Sequence, residues 1–140
     1  MKRSNLMTVP LEDELGELLR AELLTWPGVT VRPMMGCIAF CHGKQMIGCY
    51  VNRDLLKKKP WWVNRSGEST LAWVRLRKTD AERALKRRDV HQCRTGAKHW
   101  IELPLKSHEL LEQAIYWFAV TYSHPPQKSK EGQSRKRKYL

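Results

Sequence analysis

The chain has 140 residues, with 26 Lys and Arg against 14 Asp and Glu, a formal net charge of +12 and a pI near 9.9. That length suits one domain with a single core, and no apolar run approaches the roughly 20 residues of a membrane-spanning helix, which excludes a membrane-embedded role. A positive balance of this size favours polyanionic partners such as nucleic acid through counterion release, without any sequence preference of its own.

Residues 1–9 read as an N-terminal arm. Acidic residues arrive where a signal peptide would place its apolar core, so a soluble cytoplasmic protein is expected. From Pro10 to Thr25, Leu11, Leu15, Leu18, Leu19 and Leu23 recur at helical spacing, with Glu12, Asp13 and Glu14 in the first turn, where the helix dipole favours them. Thr8 is the expected N-cap, and Trp26-Pro27-Gly28 the stop.

Val29 to Tyr50 follows as two apolar runs joined by His42-Gly43-Lys44-Gln45, the pattern of an antiparallel hairpin. Setting Cys41 opposite Met46 puts Ile38, Phe40, Ile47 and Cys49 on one face, the expected core side. Cys37, Ala39, Cys41, Met46 and Tyr50 then share the other. Residues 53–60 stay open between a strand rim and a loop.

Trp61-Trp62-Val63 reads as a short strand, Asn64 to Ser69 as a turn and Leu71 to Arg77 as another strand. In that last strand Leu71, Trp73, Arg75 and Arg77 alternate with Ala72, Val74 and Leu76, so one face combines arginines with an indole. Thr79-Asp80-Ala81-Glu82 has the form of a capping box and opens a helix to about Arg88. Strands at Val90–Cys93 and Lys98–Leu103 come next. Ser107 caps a final helix whose buried stripe is Leu111, Ala114, Ile115, Phe118 and Tyr122.

Pro125 and Pro126 end that helix, and residues 125–140 are expected to form a disordered basic tail. The order α-β-β-β-α-β-β-α specifies an α+β domain over residues 10–124: an antiparallel sheet of about five strands with helices packed on one face.

Particular stretches resemble known families. Arg32-Pro33-Met34-Met35-Gly36, an apolar strand and Gly43-Lys44-x-Met46-Ile47-Gly48 are similar to the opening hairpin of TfoX N-terminal-domain proteins. The Trp26-Pro27-Gly28-Val29 step that precedes them also occurs in MmcQ/YjbR proteins. Lys98-His99-Trp100 followed by Ile101-Glu102-Leu103-Pro104 resembles the HW signature of the YjbR proteins and the aromatic-x-E-L-P step of the TfoX domain. The resemblance covers roughly residues 10 to 122 and departs from both families between Leu55 and Leu76. It implies a secretion-chaperone-like α+β topology and an accessory or regulatory role associated with nucleic acid or a transcription partner.

No catalytic, cofactor or metal residues are assigned. Cys37 and Cys41, four residues apart on a strand, lie about 13 Å apart at strand rise, too far to share a zinc ion without a bulge. The four cysteines at 37, 41, 49 and 93 are expected to be reduced and mostly buried. A thiol nucleophile using Cys41, Cys49 or Cys93 with His42, His91 or His99 would need a polar cleft that no sequence pattern reveals. Patterns typical of hydrolases, metalloproteases and nucleotide-binding loops are absent.

The candidate nucleic-acid contacts are Lys57, Lys58, Lys59, Trp61, Trp62, Arg65, Arg75 and Arg77, with Arg135, Lys136, Arg137 and Lys138 in the tail. Cations track phosphates, and indoles stack on unpaired bases. The alternative is a protein-interaction or small-ligand module, or a homodimer, using an apolar sheet face with Trp61, Trp73 and Met46.

Overall fold

The run expected to form a two-stranded hairpin is a three-stranded meander. The computed structural model describes residue 11 and residues 13–34, 37–52 and 70–126. Within them β1 (Val29–Met34), β2 (Cys37–His42) and β3 (Gln45–Asn52) pair antiparallel in sequence. Gly28 and Gly43 adopt left-handed φ values of 81° and 65°, a region where a side chain is strained. Gly43 N–H donates to the Gly28 carbonyl at 3.1 Å, tying the turn after β2 to the start of β1.

The meander continues through β4 (Thr70–Arg75), and the chain then adds β6 (Trp100–Pro104) and the two-residue β5 (His91–Gln92) at the far edge. Among the described residues the antiparallel sheet has six strands in the order β1-β2-β3-β4-β6-β5, and three helices complete an α+β fold: α1 (Glu14–Leu24), α2 (Lys78–Ala84) and α3 (His108–Ser123). The expected class and order hold. The sixth strand arises because Val29–Cys41 is two strands, with Met34 opposite Cys37.

A bulge in β3 revises the expected faces. Cys41 does pair with Met46, but Phe40 pairs with Gly48, leaving Ile47 as the extra residue. Beyond it the alternation inverts. Tyr50 joins Ile38, Phe40 and Ile47 in the core beneath the helices, whereas Cys49 lies with Cys37, Ala39 and Val51 on the opposite face.

The bulge has a packing partner in α3. A Cβ at Gly48 would collide with the Phe118 ring and the Trp73 carbonyl. Phe118 in turn meets Phe40 edge-on, with centroids 5.6 Å apart.

The helix caps show local chemistry at work. Ser107 accepts from Leu110 N–H at 3.1 Å, as expected. Asp13 caps α1 by accepting from Gly16 N–H at 3.0 Å, so the helix opens later than the sequence suggests; Thr8 lies outside the described residues. Arg77, not Thr79, occupies the cap of α2, with no side-chain cap bond. There Asp80 instead accepts from Arg77 Nε at 2.8 Å and Arg83 Nη2 at 3.3 Å.

Leu19 and Leu23 of α1, Leu111, Ala114, Trp117 and Phe118 of α3 and Ala81 and Ala84 of α2 cover one sheet face. Burial of these apolar surfaces is the main force holding the layers together. A second cluster on the other face contains Cys37, Ala39, Cys49, Val51, Leu71, Trp73 and Cys93, with Met46 and Trp100 packed against it. The expected strand at 61–63 and turn at 64–69 lie outside the described residues.

Candidate nucleic-acid interface

The end of β4 and the start of β6 meet at one rim of the sheet. Arg75 lies directly opposite Trp100 in the register, and Leu76 N–H donates to the His99 carbonyl at 3.0 Å. This contact brings residues 75–78 against residues 98–100. Arg75, Arg77, Lys78 and Lys98 are therefore brought to the same rim of the sheet as His99 and Trp100.

The local carboxylates are consumed within the fold. Asp80 is buried and takes both Arg77 and Arg83. Glu102, two residues along β6 from Trp100, is also buried and clamped by Arg94 through Nε at 2.9 Å and Nη2 at 2.7 Å. It also accepts from Trp73 Nε1 at 3.1 Å.

Such bidentate clamps satisfy charges that burial would otherwise penalise. They leave Arg75, Lys78 and Lys98 without a protein carboxylate among the described residues, and Arg77 with only its Nε engaged. Glu82, one turn along α2 from Lys78, is the exposed acid of this region.

The outward faces of α1 and α3 are acidic. On α1, Glu14, Glu17 and Glu22 face outward. On α3, Glu109 and Glu112 do so beside Tyr116. The described residues contain 13 Lys and Arg against 10 Asp and Glu, so they carry +3 of the net +12. Most of the exposed cations among the described residues lie at the β4–β6 rim and along 83–88; Arg32, Lys44 and Lys106 are exposed elsewhere.

Of the sequence-predicted contacts, Arg75 and Arg77 are brought together here. Lys57, Lys58, Lys59, Trp61, Trp62, Arg65, Arg135, Lys136, Arg137 and Lys138 lie outside the described residues. Lys78, Lys98 and Trp100 are rim members that the strand-by-strand reading missed, because their proximity depends on β4 pairing with β6 across α2. His99 is not the strand residue expected from alternation: its φ of 66° makes it the turn before β6.

Of the residues named for the alternative reading, Trp73 and Met46 are described and Trp61 is not. Trp73 is only 6% exposed, and its indole N–H is taken by Glu102, so it does not present an apolar docking patch. Met46 is half-buried against the same cluster.

Cys37, Cys49 and Cys93 lie in the second cluster, and all four cysteines are buried thiols outside any disulfide. Burial pushes the Cys37 thiol up to about 11 and Cys49 to about 12, and neighbouring cysteines add to both shifts. Burial also raises Cys93, against hydrogen bonds from Thr95. Thiols shifted this way stay protonated near neutral pH and make poor nucleophiles. Among the described residues, no group of three or more His, Cys, Asp or Glu is arranged to hold a metal ion, and no helix is long and apolar enough to cross a membrane.

No protein-family model, curated protein or solved structure matches this chain.

Proposed function

We propose that the protein is a cytoplasmic accessory or regulatory domain that associates with nucleic acid through the β4–β6 rim. The resemblance to TfoX N-terminal and MmcQ/YjbR proteins implies such a role. One observation supports the reading: the β4–β6 pairing sets the segments that carry Arg75, Arg77, Lys78 and Lys98 side by side, where Asp80 and Glu102 are neutralised internally. Phosphate binding by uncompensated cations releases condensed counterions, which supplies affinity without reading bases.

The basic-aromatic stretch, with Lys57, Lys58, Lys59, Trp61, Trp62 and Arg65, extends this surface in the proposal. So does the tail with Arg135, Lys136, Arg137 and Lys138. Together they bring the remaining positive charge of the chain to the ligand.

Fluorescence anisotropy with labelled DNA and RNA, repeated across a salt series, tests the association. Four phosphate contacts correspond to a slope of log affinity against log salt of about −3. Affinity unchanged between low and moderate salt would overturn the proposal.

A further inference from the structure

We infer that the rim takes single-stranded nucleic acid, with Trp100 as its base-stacking group; the inference rests on the nucleic-acid reading above.

The indole donors of the other described tryptophans are occupied or enclosed. Trp26 Nε1 donates to Glu22 Oε2 at 3.1 Å, and Trp73 Nε1 to Glu102 Oε1 at the same distance. Trp117 Nε1 is sealed inside the core. Trp100 is half-buried, and its Nε1 is neither hydrogen-bonded among the described residues nor enclosed. Its side chain packs on the second cluster and stays partly exposed.

Its backbone is fixed at both ends. Trp100 N–H donates to the Ala97 carbonyl at 3.3 Å, and its carbonyl accepts from Cys93 N–H at 3.1 Å. A partly exposed ring, directly across from Arg75, which has no carboxylate partner among the described residues, can stack a base while the cations of the rim track its phosphates.

The helices argue against a duplex reader. A groove-reading helix needs an exposed cationic face. The outward faces of α1 and α3 carry Glu14, Glu17 and Glu22, and Glu109 and Glu112, respectively. The basic helix, α2, has only seven residues. It is pinned to α3 by Arg83 donating to the Tyr116 hydroxyl at 2.9 Å, and the turn after it by Arg87 donating to Gln113 Oε1 at 3.0 Å.

The test compares oligothymidine of about 16 nucleotides with a duplex of the same length, a span within the reach of one small domain. Wild-type, Trp100→Ala and Trp100→Phe proteins are titrated at one salt concentration. The expected result is tighter single-strand binding by wild type and a loss of about 5- to 150-fold for Trp100→Ala on the single strand. Duplex affinity should change little, and Trp100→Phe should keep most single-strand affinity.

Wild-type preference for the duplex would overturn the inference without any variant, even if Trp100→Ala folds poorly. Equal losses on both ligands, or no loss on the single strand, would also overturn it while leaving nucleic-acid association standing. Absence of binding to either ligand would overturn both.

Discussion

The Tyr50 hydroxyl donates to Asp13 Oδ2 at 2.7 Å, the same oxygen that accepts from Gly16 N–H at the start of α1. One carboxylate therefore caps the helix and bolts it to β3. Gly16 permits this approach, since a Cβ there would strike the Tyr50 ring. Burial, then the bond to Asp13, pushes the phenol above its ordinary range, so it remains a donor at any physiological pH. Tyr50→Phe should cost about 1–2 kcal/mol in urea unfolding, and hydrogen exchange should accelerate first in α1. Unchanged stability would show that the bolt contributes nothing.

Asp80 makes stability depend on acid. Its buried position would raise the carboxyl pKa, but the bonds from Arg77 and Arg83 outweigh burial and hold it below the usual carboxylate range. The folded state thus binds this proton less readily than the unfolded chain. The stabilisation is complete above the unfolded carboxylate pKa and drains away as pH falls through the lower folded value. Because both guanidiniums lie toward solvent, Asp80→Asn should cost only about 1 kcal/mol at neutral pH. Thermal melts of both proteins should converge as pH falls below the ordinary carboxylate range; a constant gap would refute the linkage.

Gly48 sits at the bulge, against Phe118 and the Trp73 carbonyl. A methyl group has nowhere to go, because one neighbour is backbone. Gly48→Ala should destabilise by about 3 kcal/mol, and circular dichroism melts would measure it. A melt indistinguishable from wild type would mean that α3 does not press on the bulge.

Much of the fold was legible where the signal is local. The Ser107 cap and the stripe through Leu111, Ala114 and Phe118 could be read directly, since one helix period decides both. The faces of Cys49 and Tyr50 could not, because the bulge depends on Phe118 filling the space above Gly48 from a distant helix.

The cap of α2 was misread for a similar reason. Thr79 has the right local pattern, but Asp80 is engaged by Arg77 and Arg83, and the helix begins two residues earlier. Arg75 and Arg77 were visible as alternating cations, whereas their meeting with Lys98 and Trp100 required the β4–β6 pairing, which no local pattern encodes.

The most direct test of the rim compares two charge-matched double variants for affinity toward one labelled nucleic acid. Arg75→Ala with Lys98→Ala removes two rim cations; Lys86→Ala with Arg88→Ala removes two exposed cations from the turn after α2. The rim pair should lose about tenfold in affinity and flatten the salt slope by about 1.5, while the control pair stays near wild type. Equal losses for both pairs, or none for the rim pair, would contradict a localised binding surface.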